Sequence, residues 1–240
     1  MRGQLQDNAA AAADAYMAWW TLAGVDCAVG ETAIDWLRPA KIQPPVIRMP
    51  PPPAPAAPTD LDAFHGWLQS DANQPESRWP GARLIPVGAA GASLMVVTDM
   101  PDPSDVQAGA LFTGAPGQLL DAMLRAIGLA RADIYLASLA LARPPGGMMD
   151  VADADALAAR MRAHIALATP RRLLLLGDRT IRALGPMDGD AHMNGLRPFN
   201  HDGGSVSAIA TFHPRLLLQQ PAAKAECWRA LQCLIEEPRL

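Results

Sequence analysis

The sequence predicts an α/β fold: a three-layer αβα domain around a central four-stranded, mostly parallel sheet, with a helical extension at the N-terminus. Short apolar runs alternate with amphipathic helical segments through the second half of the chain, which is typical of parallel strands covered by helices on both faces. A proline-rich stretch separates that half from the helical N-terminus. With 240 residues, of which 50% are hydrophobic, the chain is large enough for one such domain and an appendage.

Two segments precede the predicted domain. Residues 1–37 form the predicted helical extension, in which Tyr16, Trp19 and Trp20 recur at helical spacing. The paired tryptophans either pack into a core, which is the commoner use of such residues, or dock on a partner. Residues 38–60 are rich in proline, which favours an extended linker without a core of its own. The predicted domain then covers residues 61–240.

Within this domain the predicted elements follow in a regular order. A helix is predicted that has Thr59 or Asp60 as its cap and extends to Gln69. Buried strands are predicted from short apolar runs at residues 93–98, 133–138, 172–176 and 205–210. Helices are predicted from apolar spacing at residues 116–128, 153–168, 178–184 and 221–235. Because the strands alternate with helices, their carboxyl ends should lie at one edge of the sheet.

Polar side chains or glycine come at the end of each predicted strand. They are Asp99 after the first, Ser138 at the end of the second, Gly177 and Asp178 after the third, and His213 after the fourth. An Asp, a Ser and a His that meet at one sheet edge make a candidate site for chemistry, independent of any family. For His213 taken alone, a structural cap on the following helix is an equally good interpretation.

The loops between these elements carry further candidates. Residues 99–105 are rich in carboxylates and form either a solvated loop or one that positions a carboxylate over a substrate. Phe112 either plugs the core or offers a stacking surface to a planar ring. Arg143, followed by two prolines and two glycines, is available for a phosphate or a carboxylate.

Composition argues against several classes of protein. The net charge of -4 disfavours nonspecific coating of nucleic acid, and the sequence has no apolar run of the 18 or so residues that a membrane span needs. The cysteines Cys27, Cys227 and Cys233 form neither a disulfide framework nor a metal-binding pattern, so we expect a reducing, cytoplasmic location. Motifs of serine hydrolases, P-loops and dinucleotide-binding loops are absent from the sequence.

Four short motifs follow one another within residues 94–234. They are the loop at residues 97–102, L-F-T-G-A-P-G-Q-L-L-D at 111–121, S-L-A-L-A-R-P-P at 138–145 and H-P-R-L-L at 213–217. In order and spacing they resemble the motifs of the uracil-DNA glycosylase superfamily, nearest to its family 4 type. That family has G-E-A-P-G, P-F-V-G-x-A-G-x-L-L-D, N-x-x-K-C-R-P-P and H-P-x-x-L-L at these places. The W-W-x-x-A-G-V-D stretch at residues 19–26 also resembles an extension of some bacterial relatives.

The resemblance implies base flipping and hydrolysis of an N-glycosidic bond. A target nucleotide would leave the DNA duplex and enter a pocket at the sheet edge. His213 would stabilise the negative charge that develops on the departing base. Asp99, standing where the family has Glu, would stabilise the sugar cation or orient water.

The resemblance also implies a set of binding residues. Phe112 would stack on the uracil ring, the residue at Ser138 would read the Watson–Crick edge of the base, and Met100 would contact the substrate. Arg143 and Arg215 would hold DNA phosphates. DNA containing a damaged base is therefore the expected partner.

Several positions depart from the family pattern. Ser138 replaces an Asn, and a hydroxyl supplies fewer fixed hydrogen bonds than an amide. Thr98 and Asp102 replace glycines, and a carboxylate at position 102 would repel DNA phosphate. Ala142 replaces one of the four cysteines that hold an iron–sulfur cluster in family 4 enzymes. We therefore expect no cluster and no other cofactor.

Two hypotheses of function follow from this pattern. In the first, the chain is a divergent glycosylase that acts through Asp99, Phe112 and His213. In the second, it is a catalytically inactive glycosylase-fold accessory protein in DNA repair or replication, which binds a protein partner through residues 1–60. An open slot at the sheet edge would favour chemistry, whereas a slot filled by Met100 or Met148 would favour a binding role.

Overall fold

The computed structural model describes residue 12 and residues 14–22, 58–185 and 195–236. The chain divides into two compact units, residues 1–54 and 55–240. Most of the predicted extension, 1–37, and of the predicted linker, 38–60, lies outside the described residues. Residue 12 and helix α1, residues 14–22, are the described part of the extension.

The aromatic residues of α1 contact one another. The rings of Trp19 and Trp20 meet edge-on with centroids 5.1 Å apart, and Tyr16 contacts Trp20 in the same way at 5.9 Å. Trp19 is nevertheless 61% exposed. Whether these tryptophans pack into a core or dock on a partner stays a prediction.

The second unit is built on a single five-stranded sheet. Its strands are β1 (Leu94–Thr98), β2 (Ile134–Ser138), β3 (Arg172–Leu176), β4 (Arg197–His201) and β5 (Gly204–Thr211), in the order β2-β1-β3-β5-β4. Strands β2, β1, β3 and β5 run parallel, and β4 pairs antiparallel with β5 at the edge. The predicted αβα class with a mostly parallel sheet is confirmed, but the predicted count of four strands is wrong. Strand β4 contains a proline and buries only Phe199, so it has no apolar run from which a strand could be predicted.

Seven helices of the second unit lie within the described residues. They are α2 (Leu61–Ser70), α3 (Pro103–Ala108), α4 (Gly114–Ala126), α5 (Val151–Ala168), α6 (Asp178–Leu184), α7 (Pro214–Gln219) and α8 (Lys224–Glu236). The Asp60 carboxylate accepts a hydrogen bond from the amide of Ala63 and caps α2, as the sequence predicts. Helix α3 was not predicted, because its residues read as a carboxylate-rich loop. The Asp105 carboxylate accepts the amide hydrogen of Asp102, the N-cap residue, and so stabilises the start of this helix at Pro103.

The sheet separates two apolar layers, because successive side chains of a strand point to opposite faces. In β1, Leu94 and Val96 pack with α4 and α8, whereas Met95 and Val97 pack with α5. All four side chains are buried, and burying such a side chain contributes about 1.5–3 kcal/mol. The two layers therefore hold the strand ends, and the loops that follow them, in fixed positions. Among the described residues, no helix has the length and apolar character to cross a bilayer.

A chain of polar side chains lies on the α5 face, in which Tyr135 and His164 are buried and His65 is half-buried. The Tyr135 hydroxyl lies 2.5 Å from Nε2 of His65 on α2 and 2.7 Å from Nε2 of His164 on α5. Burial, together with the charges of His65 and Arg160, lowers the pKa of His164 to about 3. His164 is thus a neutral structural residue at physiological pH, remote in sequence from the predicted site.

Candidate active site at the carboxyl edge of the sheet

A cleft of about 720 Å³ opens at the carboxyl ends of the parallel strands. Its wall contains five of the seven predicted site residues: Asp99, Met100, Arg143, His213 and Arg215. This convergence follows from the topology, since parallel strands β1, β3 and β5 all end at the same edge.

His213 lies at the N-terminus of α7 and is buried, with its ring against the cleft. Its Nδ1 accepts a hydrogen bond of 3.1 Å from the amide of Arg215, so the imidazole caps the helix. An accepting Nδ1 assigns the proton of the neutral ring to Nε2. Nε2 of His213 has no hydrogen-bond partner among the described residues. It is not a fully buried atom either, since Thr211 Oγ1 is the only buried side-chain nitrogen or oxygen of those residues that lacks a partner. Nε2 is therefore accessible. Both interpretations of His213 are thus compatible: the residue caps a helix and presents a donor to the cleft.

The surroundings of His213 keep its imidazole neutral. Burial, and then the positive charge of Arg215, lower the pKa of His213, while Asp99, Asp102 and Asp105 act in the opposite direction. Gly177 makes room for the start of the His213 side chain, because a Cβ at this position would lie 3.2 Å from Cβ of His213. The backbone of Gly177 has φ of 87°, a value that favours glycine.

Asp99 is buried at the end of β1 and faces two arginines without close contact. Its Oδ2 lies 3.9 Å from Nη1 of Arg179, and its Oδ1 lies 3.9 Å from Nη2 of Arg215. The Thr98 hydroxyl donates to Oδ1 at 3.3 Å. These long separations leave the carboxylate oxygens available to water or to a ligand in the cleft. The solvated-loop interpretation of this stretch is wrong, since Asp99, Asp102 and Asp105 are all buried.

The two arginines predicted to bind phosphate both have intramolecular partners. Arg215 forms an ion pair with Asp102, which joins the loop after β1 to helix α7. The carboxylate expected to repel DNA phosphate is therefore neutralised by a neighbouring cation. Arg143 donates to the carbonyl of Pro101 at 3.0 Å and lines the cleft. Arg179, which the sequence analysis did not single out, has a side chain that is 62% exposed and also lines the cleft.

Phe112 and Ser138, two predicted substrate-binding residues, are not part of the cleft wall. The Phe112 ring stacks on the His213 ring, with centroids 5.4 Å apart and an angle of 20° between the planes. The Ser138 hydroxyl is buried and donates to the carbonyl of Ala140 at 2.5 Å. Met148 is exposed and does not fill the cleft, whereas Met100 is buried in its wall.

The backbone around Phe112 is tightly braced by residues that the sequence analysis missed. Arg131 donates to the carbonyl oxygens of Leu111 at 3.2 Å and Phe112 at 3.0 Å. Asp105 accepts hydrogen bonds of 2.7 Å from both the amide and the hydroxyl of Thr113. Phe112 itself has φ of 56°, an uncommon conformation that these contacts hold in place. A Cβ at Gly117 would lie 1.7 Å from the Phe112 carbonyl oxygen, so only glycine fits there.

A buried ion pair between helix α5 and Glu76 holds the loop that follows β2. Arg160 on α5 donates to Glu76 at 2.6 Å and to the carbonyl of Leu139 at 2.7 Å, and Glu76 accepts the amide of Leu141 at 2.9 Å. Burial alone would raise the pKa of Glu76, but Arg160 and the Leu141 amide outweigh it and hold that pKa below its usual value. The pair therefore fixes the backbone that leads to Arg143.

The donor set does not fit the iron–sulfur cluster of family 4 enzymes. Such a cluster requires four cysteine ligands, and the chain has three cysteines. Ala142, which the motif resemblance matches with one cluster cysteine, is fully buried and has no donor atom. Cys227 and Cys233, the free thiols of the described residues, both lie on α8. Within the same residues, no group of three or more His, Cys, Asp or Glu side chains is arranged to hold a metal ion.

An αβα domain with a polar cleft at the carboxyl edge of its parallel sheet defines a class of proteins that bind their ligands at the strand ends. This chain belongs to the uracil-DNA glycosylase superfamily, since the model of that superfamily matches residues 85–232, more than half of the sequence. The type-4 uracil-DNA glycosylase of Pyrobaculum aerophilum is 25% identical over 179 residues, which cover 70% of this chain and 89% of that protein. These matches confirm the resemblance drawn from the four motifs and support a glycosylase-like function.

Proposed function

We propose that this chain is a divergent DNA glycosylase, which flips a damaged base out of DNA and hydrolyses the N-glycosidic bond. The observation that carries the proposal is the pair of His213 and Asp99 on one cleft, with an accessible Nε2 on one side and a loosely paired carboxylate on the other. Membership of the superfamily supplies the reaction class.

In the proposed reaction, the bond between C1′ of the sugar and the base nitrogen breaks, and its electron pair leaves with the base. The Nε2–H of neutral His213 donates a hydrogen bond to the oxygen on which that negative charge accumulates. The imidazole is a neutral donor, because burial and the charge of Arg215 lower the pKa of His213.

The proposed role of Asp99 concerns the sugar. Its carboxylate faces the positive charge that develops at C1′ and accepts the proton of the water that attacks there. The hydroxyl of that water becomes bound to C1′, which yields an abasic sugar and the anion of the base. Asp99 then releases the proton to solvent, and the departed base takes up a proton from solvent, which restores the carboxylate and gives the free base. Because no arginine nitrogen lies closer than 3.9 Å to Asp99 among the described residues, the carboxylate is not already neutralised by a short ion pair.

DNA is the proposed partner, and the cleft residues suit it. Arg143, Arg179 and Arg215 surround the opening and offer cations to the phosphate backbone. The cleft wall also holds three carboxylates, Asp99, Asp102 and Asp178, so phosphate contacts depend on the individual arginines rather than on a net positive charge. We also propose that the protein acts in base-excision repair, without a cluster, in a reducing cytoplasm.

A second candidate function is a catalytically inactive accessory protein of DNA repair or replication. It is favoured by Ser138, whose hydroxyl is committed to the Ala140 carbonyl and is absent from the cleft wall. A protein partner at residues 1–60 fits this alternative, since Trp19 and Leu22 of α1 are exposed.

An excision assay distinguishes the two functions. Single- and double-stranded oligonucleotides with one uracil, hypoxanthine or xanthine would be incubated with the wild-type chain, and abasic sites would be cleaved with alkali. We expect cleavage of at least one substrate by the wild type and none by the double variant Asp99→Asn/His213→Ala. Absence of cleavage with excess wild-type protein would refute the catalytic proposal and leave the accessory role.

A further inference from the structure

Phe112 has a backbone conformation that few residues other than glycine adopt. Its φ is 56°, and it lies two residues before Gly114, at which α4 begins. Such conformations persist only where the surrounding structure holds them, and they are commonest at functional sites. The ring of Phe112 stacks on the His213 imidazole, with 20° between the two planes. The orientation of the two rings therefore depends on the contacts that hold the loop of residues 111–113.

Arg131 holds that loop through a single guanidinium group. Its Nη1 donates to the carbonyl of Leu111 at 3.2 Å, and its Nη2 donates to the carbonyls of Phe112 at 3.0 Å and Gly117 at 3.4 Å. Its Nε donates to the carboxylate of Asp121 on α4 at 2.8 Å. The planar fork of the guanidinium thus joins the loop to the first two turns of α4. A lysine ammonium lacks this fork and cannot make the same four contacts at once.

Arg131 is itself held at the start of strand β2. It begins a short 3-10 turn, Arg131–Asp133, which leads directly into β2 at Ile134. The Asp133 carboxylate accepts the amide hydrogen of Ala130 at 2.8 Å and so stabilises this turn. The guanidinium therefore links the Phe112 loop to the same sheet whose strand β5 leads to His213.

We propose that Arg131 is a positioning residue of the glycosylase reaction, which acts through residues 111–113 to orient the Phe112 ring and the His213 imidazole. This inference rests on the proposed function, in which His213 donates to the departing base and Phe112 keeps the stacking role that its motif implies. Arg131 is not part of the cleft wall, so it acts on the substrate only through the residues that it holds.

The test measures ring orientation and excision in the same full-length proteins. The Hε1 resonance of His213 in histidine-labelled protein reports the orientation, because the ring current of Phe112 shifts nearby protons. The variant His213→Ala identifies this resonance, and Phe112→Leu gives its position without the neighbouring ring. Arg131→Lys is the test variant, since it keeps the charge of a side chain that is 39% exposed and removes only the fork. Arg125→Met is the matched control, because Arg125 is exposed on the last turn of α4 and lies in the same surface hollow as Arg131.

We expect Arg131→Lys to move the His213 resonance by a measurable fraction of the shift that Phe112→Leu causes, while the resonances of His65 and His164 stay in place. Single-turnover excision should slow about 10- to 100-fold, because a misplacement of about 1 Å in a site costs a rate factor of this size. Affinity for an oligonucleotide with a tetrahydrofuran abasic site should stay at the wild-type value, since the cleft wall keeps its arginines. Arg125→Met should match the wild type in all three measurements.

An unmoved His213 resonance in Arg131→Lys would overturn the inference, as would a moved resonance with excision at the wild-type rate. Movement of all three histidine resonances, or loss of the folded state, would show that Arg131 supports the whole fold rather than this loop, and would also overturn it.

The resonance separates this inference from the function on which it rests. If the wild type excises no base but Arg131→Lys moves the His213 resonance alone, the catalytic proposal fails and the positioning of the imidazole stands. If the wild type excises a base and Arg131→Lys matches it in both resonance and rate, only the inference fails.

Discussion

Two arginine–carboxylate pairs of the second unit differ sharply in geometry. Arg160 and Glu76 lie 2.6 Å apart, with side chains that are 7% and 0% exposed. Arg179 and Asp99 lie 3.9 Å apart, with side chains that are 62% and 6% exposed. The first pair also satisfies backbone groups of Leu139 and Leu141, whereas Asp99 meets its arginines only at a distance.

The difference separates a structural ion pair from a site that has room for a ligand. A desolvated ion pair whose atoms all form short hydrogen bonds has no free donor or acceptor for a ligand. Its role is to hold the backbone segments that it contacts in place. A buried carboxylate such as Asp99, which accepts one long hydrogen bond from Thr98 and has only distant cations, keeps room at its oxygens for water or for a sugar cation. Four predictions test this division, from the largest expected effect to the smallest.

The largest effect is expected at the structural pair. Arg160→Met leaves Glu76 charged and buried without its partner, which should lower the unfolding free energy by about 3–5 kcal/mol. Urea unfolding monitored by circular dichroism measures the loss. The double variant Arg160→Met/Glu76→Leu should recover most of it, because an apolar pair has no buried charge. A single variant within about 1 kcal/mol of the wild type would contradict a structural role.

The next effect concerns Asp99. Asp99→Asn keeps the shape of the side chain but removes its charge, so excision should slow about 100-fold while the unfolding temperature stays within about 3 °C of the wild type. Single-turnover rates and thermal unfolding measure the two quantities. The control is Asp155→Asn, an exposed carboxylate on α5. A large loss of stability with unchanged excision would show that Asp99 has a structural role, like the pair of Arg160 and Glu76.

A moderate effect is expected from the buried His164. Burial, followed by the charges of His65 and Arg160, lowers its pKa to about 3, so the unfolded chain binds the proton more readily than the folded chain. The unfolding free energy should therefore fall as pH decreases below about 6.5, by about 1.4 kcal/mol per pH unit for this group. Urea unfolding from pH 6.5 to 5.0 should show this slope in the wild type and in His201→Gln, and a shallower one in His164→Phe. Equal slopes in all three proteins would show that His164 does not cause the loss of stability at low pH.

The smallest effect is expected at the open side of the cleft. Arg179→Gln should weaken binding of single-stranded DNA several-fold and reduce the slope of log affinity against log salt by about 0.7, the value for one phosphate contact. Arg182→Gln is the matched control, since Arg182 lies on the same helix, pairs with Asp178 and is not part of the cleft wall. Identical salt slopes in the two variants would show that Arg179 contacts no phosphate.

The sequence predicts the framework well, because the strands of the sheet interior are continuous apolar runs. Once β1, β3 and β5 are recognised as parallel, Asp99 and His213 must meet at one edge. Strand β4 and helix α3 escape prediction, since β4 has mostly exposed or half-buried residues and α3 depends on the Asp105 cap. A pattern of Asp-Pro followed by Asp at the third helical position is the signal that could have revealed α3.

The details of the site are harder to predict, because they depend on contacts between distant residues. Glu76 and Arg160 are 84 positions apart, and neither belongs to a motif. The direction of the Phe112 ring depends on its positive φ and on Arg131, which motif matching does not report. Arg179 could have been found by position alone, since it lies in a segment that follows a parallel strand.

The most direct test of the central claim is the single-turnover rate of uracil excision by the wild type and by His213→Ala. If His213 stabilises the departing base through Nε2, its removal should slow excision by about 100- to 1000-fold with little change in substrate binding. Excision by the variant at the wild-type rate would contradict the account, because the imidazole would then be no more than the cap of helix α7.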